Sequence, residues 1–197
     1  MTREIVQETD FTAIEDAIEA FILAASGLPT DKTRVFWSGN DFQRERPYAV
    51  LSQLPQSSTG HPWSRFERVI EATVQKRKNT YYQPFQWNTQ VKFLTDSFTS
   101  DGRKKTPVRM VAYRYAQNTL NRAFLPPIKE ILEAQEIAYN PVSENIMPGV
   151  LPMMDDDKYI HQATIEFVFS GLAKTAVKDS DYFETIEDPT FNFEGLS

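Results

Sequence analysis

Apolar residues recur along this chain with two different periods, and each period predicts a different kind of element. From Asp10 to Ala25, the residues Phe11, Ile14, Ala17, Ile18, Phe21, Ile22 and Ala25 return every three or four positions. That spacing lays one apolar stripe along a helix. Asp10 or Thr12 can cap its start, and Thr12 with Glu15 has the spacing of a capping box. Ser26-Gly27-Leu28-Pro29 ends the helix, because Gly27 takes the left-handed conformation without steric cost. A second stripe, running from Val108 through Val111, Ala112, Tyr115, Ala116, Thr119 and Leu120 to Ala123, predicts another helix. Thr106 would cap it and Pro107 would occupy its first position. Leu125-Pro126-Pro127 breaks this helix, and a shorter one over 128–136 restarts on Pro127.

Elsewhere the period is two. Arg34–Trp37 and Tyr48–Leu51 read as short strands around a polar loop that closes with Arg46-Pro47-Tyr48. Pro47 fixes its own φ and biases Arg46 towards extended backbone, so the loop enters the second strand in one preferred direction. Residues 65–82 read as a long strand in which Ile70, Ala72 and Val74 alternate with Glu71, Thr73 and Gln75. Residues 85–96 read as another, with Trp87, Thr89, Val91, Phe93 and Thr95 on one face and Gln86, Asn88, Gln90 and Lys92 on the other. The compact link 78–84 predicts that these two pair as an antiparallel hairpin. Residues 160–172 return to alternation, placing Ala163, Ile165, Phe167 and Phe169 opposite Thr164, Glu166 and Val168. Residues 137–152, which contain Pro141, Pro148 and Pro152, show little periodicity. Residues 182–197 read as an acidic, aromatic arm, extended or loosely docked. The order predicts an α+β fold: a single domain over 1–197, an antiparallel sheet with a long β-hairpin, and helices packed on one face.

Composition narrows the chemistry. With 41% hydrophobic and 13% aromatic residues, the 197-residue chain can bury a proper core. It has no cysteine, which removes disulfides, thiolate metal sites and cysteine nucleophiles. Its two histidines, His61 and His161, stand in no pattern that calls for a metal or a catalytic triad. The polar, acidic start excludes a secretory signal, and no apolar run reaches the roughly 18 residues of a membrane helix. The expectation is a soluble protein made in a cytoplasm. A net charge of −6 repels nucleic acid on average, although a basic face can override the mean.

Asp155-Asp156-Asp157 could hold a divalent cation, but consecutive carboxylates rarely converge and a solvated turn is the simpler reading. No catalytic, metal-binding or cofactor-binding residue is assigned, and no cofactor is expected. The basic clusters carry more information. Arg65 and Arg68, Lys76-Arg77-Lys78 and Arg103-Lys104-Lys105 lie near Tyr81, Tyr82, Phe85 and Trp87. That mix suits single-stranded nucleic acid, an acidic partner protein, or plain solvated loop tips. The polar strand face can equally be wet or meet another subunit, with Trp63, Phe66, Phe183, Phe191 and Phe193 as candidate apolar anchors.

Taken in order, these pieces resemble the neck or tail terminator (tail-completion) proteins of tailed bacteriophages. The amphipathic first helix precedes Arg34-Val-Phe-Trp-Ser-Gly-Asn40, and Arg46-Pro47-Tyr48-Ala49-Val50-Leu51 is similar to that family's strand opening. The hairpin over 67–96, a helix with few charges, a closing strand over 160–169 and its end over 177–187 complete a resemblance covering roughly residues 10–187. The loop from Asn40 to Arg46 and the stretch 147–157 depart from the family pattern. The resemblance implies a non-enzymatic virion protein of the tail or neck, made in the host bacterium. It implies a ring of identical subunits, usually six, seated on the last ring of the tail tube. Such a ring stops polymerisation of the tube, and of any sheath, and meets the head–tail connector while genome DNA passes through its channel, with no membrane involved. Charge and loop position mark Arg44, Arg46, Arg65, Arg68, Lys76, Arg77, Arg103, Lys104 and Lys105 as candidate contact residues. A nucleic-acid-binding accessory protein, another neck or baseplate adaptor, and a small enzyme whose site no motif reveals remain open alternatives.

Overall fold

The structure is a computed structural model that describes residues 3–30, 34–39, 46–54, 61–71, 74–96, 98–100, 105–107, 111–142, 146–152 and 159–179. In chain order these form β1 (Arg3–Gln7), α1 (Phe11–Ser26), β2 (Val35–Trp37), β3 (Tyr48–Gln53), β4 (Trp63–Glu71), β5 (Val74–Asp96), β6 (Phe98–Ser100) and β7 (Lys105–Pro107). They continue with α2 (Val111–Arg122), α3 (Pro126–Glu133), β8 (Ala138–Pro141), β9 (Met147–Pro152) and β10 (Tyr159–Asp179). The class is α+β.

An eight-stranded sheet runs in the order β1-β10-β5-β3-β2, with β4 also pairing β5 and both β8 and β9 pairing β10. Every pairing with a described register is antiparallel except β2 with β3, which is parallel and matches Val35 to Ala49 and Trp37 to Leu51. A crossover from β2 to β3 therefore replaces a hairpin at this edge. The Arg46–Pro47 peptide bond at its end is cis. β6 and β7 form a separate two-stranded sheet.

The chain divides into two compact units. One holds residues 10–59 and 84–172, the other residues 1–9, 60–83 and 173–197. The helical unit contains the large core. α1 forms where the sequence places it: the Asp10 carboxylate accepts from the backbone N–H groups of Thr12 (2.9 Å) and Ala13 (3.2 Å), and Gly27 closes the helix at φ 72°. Its stripe is buried from Ile14 onward, with Phe11 partly buried, and Phe21 meets Phe167, Phe169 and Tyr139 at centroid distances of 5.9, 6.1 and 4.9 Å. Phe93 from β5 packs on Tyr115 from α2, and α1 also packs against α2, α3 and β2. The alternation read in β5 and β10 holds for most positions: Thr89, Val91, Phe93 and Thr95 are buried, as are Ala163, Ile165, Phe167 and Phe169, but Thr164 on the opposite face of β10 is buried too and Trp87 only partly so.

The second unit contains β1, β4, the first part of β5 and the last part of β10. Here the sequence expectation needs its largest correction. Residues 78–84 are not a turn; β5 runs straight through them to Asp96. The hairpin turns earlier, with Glu71 paired to Val74, so two residues join the strands. Residues 65–82 are thus two strands, and apolar–polar alternation through 70–75 cannot reveal a reversal that keeps the same period.

Other boundaries also move. Thr106 and Pro107 do not open α2; they lie in β7, paired with Thr99 and Phe98. α2 begins at Val111, while Val108 lies outside the described residues. α3 begins on Pro126 and stops at Glu133, because Glu136 turns left-handed (φ 56°) and sends Ile137 towards β8. The aperiodic stretch 137–152 contains β8 and β9, and the polar start of the chain contains β1.

Candidate interaction site

β4 and β5 carry four of the sequence-predicted contact residues along one hairpin. Their register makes Arg65 the partner of Thr80, Glu67 of Lys78, Arg68 of Arg77 and Val69 of Lys76. Residues 63–82 carry Arg65, Arg68, Lys76, Arg77 and Lys78 against Glu67 and Glu71, a surplus of positive charge in a chain whose net charge is −6. At the open end of the hairpin, Trp63 pairs with Tyr82 and their rings stack at 4.2 Å and 13°. Trp63 keeps 48% of its surface exposed and Tyr81 44%. Arg65 is exposed on the same strand as Trp63, and a cation near exposed aromatic rings suits binding of carboxylates, phosphates and aromatic rings.

Four of the nine predicted residues, Arg65, Arg68, Lys76 and Arg77, belong to this hairpin. Arg46 is engaged elsewhere, its Nε donating to Asp96 Oδ1 in a salt bridge. Lys105 lies in β7 as the partner of Ser100. Arg44, Arg103 and Lys104 lie outside the described residues, as do Asp155-Asp156-Asp157 and the arm 182–197. Of the aromatic residues grouped with the basic clusters, Phe85 and Trp87 are partly buried: they pack on Phe11 of α1 at 5.9 and 5.8 Å and against the helical unit's core.

The helical unit has two further surfaces. On the polar face of its sheet, Gln90 Nε2 donates to Glu166 Oε1 (3.0 Å), and Gln86, Asn88 and Lys92 stay partly exposed. A groove of about 530 Å³ lies between the end of α2 and β8, lined by Gln117, Asn121, Phe124, Asn140 and Val142 among others. Phe124 and Val142 are 59% and 54% exposed there. Sequence reasoning missed this groove, because Phe124 lies beyond the α2 stripe and Val142 beyond any periodic run. Its lining has amides and apolar groups but nothing that titrates near neutrality, so it suits binding. His61 lies exposed ahead of β4, and His161 sits in β10 as the partner of Val150. Among the described residues no cluster of three or more His, Asp or Glu could hold a metal ion, and no helix is long and apolar enough to cross a membrane.

No protein-family model matches this chain, and no curated protein matches it in sequence.

Proposed function

We propose that this chain is a structural virion protein, a tail terminator that assembles as a ring of identical subunits on the end of a tail tube and meets the head–tail connector. The observation that carries this reading is the basic hairpin β4–β5, which belongs to a different compact unit from the one that holds the helices. A closed ring needs two different, complementary patches on each subunit. A cationic hairpin in an otherwise acidic chain supplies one, and the polar sheet face and the groove at β8 are candidates for the second.

The test is the mass and shape of the purified protein, alone and mixed with tail tubes, by light scattering and negative-stain imaging. Rings of about six 22.7 kDa subunits, or caps on one end of the tubes, are the expected result. Charge reversal at Arg65, Arg68, Lys76 and Arg77 together should abolish them and leave the fold's circular dichroism unchanged. A monomer that ignores tube ends would overturn the terminator reading and leave other neck or baseplate roles to examine. The exposed Trp63 and Tyr81 beside the same basic residues favour a second reading, an accessory protein that binds single-stranded nucleic acid. It predicts oligonucleotide binding that weakens steeply with salt, which a terminator would lack.

A further inference from the structure

The groove between the end of α2 and β8 carries no charged residue, although charged residues make up 24% of the chain. Gln117, Asn121 and Asn140 supply amides, and the rest of its lining is apolar. A charged group entering it would shed water and meet no counter-ion, so the groove selects a neutral occupant. Phe124 and Val142, 59% and 54% exposed, leave apolar surface for a bulky side chain to cover. The amides set a third condition. Gln117 Nε2 donates to Asn121 Oδ1 at 3.0 Å, which leaves Gln117 Oε1 as an acceptor with no protein donor among the described residues.

The chain itself contains a segment that meets all three conditions. Residues 47–64 include no Asp, Glu, Lys or Arg. At their end His61, Pro62, Trp63 and Ser64 are exposed where the chain enters β4. The Trp63 indole stacks on Tyr82, yet stays 48% exposed, and its N–H has no protein acceptor among the described residues. We propose that Trp63 and its neighbours 61–64 seat in the α2–β8 groove of a second copy of this chain. The indole would lie against Phe124 and Val142 and donate its N–H to Gln117 Oε1.

Tryptophan suits this role, since it joins a large, stiff apolar body to a single donor, and such residues carry much of the binding energy at interfaces. The groove's volume of about 530 Å³ falls within the roughly 300–1,000 Å³ of sites that bury a drug-sized group, ample for an indole and its flanking residues. Segment and groove are different surfaces, carried by different compact units. Each copy therefore gives its segment to one neighbour and accepts the segment of another, the head-to-tail type of contact that generates rings. Such a contact would join the subunits of the ring proposed above, and depends on that proposal only for the number of copies.

Analytical ultracentrifugation of the full chain and its variants tests this. The intact chain should self-associate as its concentration rises. Trp63→Ala removes the anchor and Val142→Glu puts a charge into the groove, and each should weaken association about tenfold or more. Gln117→Glu, a second groove variant, should behave as Val142→Glu does. Mixing separates a lost contact from a lost fold. Trp63→Ala keeps its groove and Val142→Glu keeps its anchor, so together they should form a heterodimer of twice 22.7 kDa that neither forms alone. A chain that stays monomeric at every concentration would overturn the proposal, as would association that Trp63→Ala leaves intact or a mixture with either groove variant that yields no heterodimer. Rings or tube caps that persist in Trp63→Ala would sink this contact and leave the terminator reading standing. Association through Trp63 by a chain that ignores tube ends would do the reverse.

Discussion

At the scale of single residues, two positions show how closely the sheet and helices of the larger unit are fitted. A Cβ placed on Gly171 would lie 2.8 Å from Phe85 Cε1 and Cζ, well inside contact distance. That ring cannot easily retreat, because Phe11 and Trp87 hold it at centroid distances of 5.9 and 5.5 Å. Gly171→Ala should therefore cost about 1–3 kcal/mol, as overpacking does, and lower the urea midpoint of unfolding accordingly. Tyr139 is the second position. Its hydroxyl donates to the Ala123 carbonyl at 2.6 Å, joining β8 to the end of α2, and burial raises its pKa above the ordinary phenol value. A raised phenol pKa means that, above pH 10, the unfolded chain loses its proton first. Stability from this group is complete below pH 10 and falls as pH climbs towards the folded value. Lys129, raised by its hydrogen bond to Glu133, drifts in the same direction at higher pH. Tyr139→Phe should cost about 1 kcal/mol at neutral pH through the lost hydrogen bond and flatten the alkaline decline, as measured by denaturant melts between pH 8 and 11.

At the scale of elements, what could be read in advance depended on whether a signal was local. α1 announces itself completely, since its stripe, its cap and its terminating glycine are all short-range features. Its cap makes a direct prediction: Asp10→Ala leaves the Thr12 and Ala13 N–H groups without their acceptor and should cost about 1 kcal/mol, read as a lower melting temperature. β5 and β10 were legible where one face meets the helices, because burial enforces alternation there. The turn of the hairpin was not. A two-residue reversal between Glu71 and Val74 leaves the alternating pattern undisturbed, whereas the string Asn79-Thr80-Tyr81-Tyr82-Gln83-Pro84 mimics a link while lying inside a strand. Thr106-Pro107 misled in the same way: cap followed by proline is a helix start in isolation, yet pairing with Phe98 and Thr99 holds these residues in a strand. β1, β8 and β9 carry almost no sequence signal, since they join the sheet by backbone hydrogen bonds to β10. Pro148 and Pro152 are tolerated in β9, a strand that pairs with β10 alone among the described residues.

At the scale of the molecule, the distribution of charge matters more than its sum. A net charge of −6 conceals a stretch, 63–82, with five cations and two anions and another, 180–197, with five anions and no cation. Composition and local periodicity determined the α+β class, the burial of the α1 stripe and of the inward faces of β5 and β10, and the lack of any cysteine chemistry. Each of these depends on residue type or on neighbours a few positions apart, which a sequence states directly. Tertiary structure decided the rest. It turned the hairpin at residues 71–74, ran β2 parallel to β3, and set Arg68 across from Arg77. It also packed Phe85 and Trp87, partly buried, against the core while leaving Trp63 and Tyr81 more exposed. These outcomes rest on strand register and on contacts between residues far apart in the chain. Their energies come from pairing partners that no local pattern names.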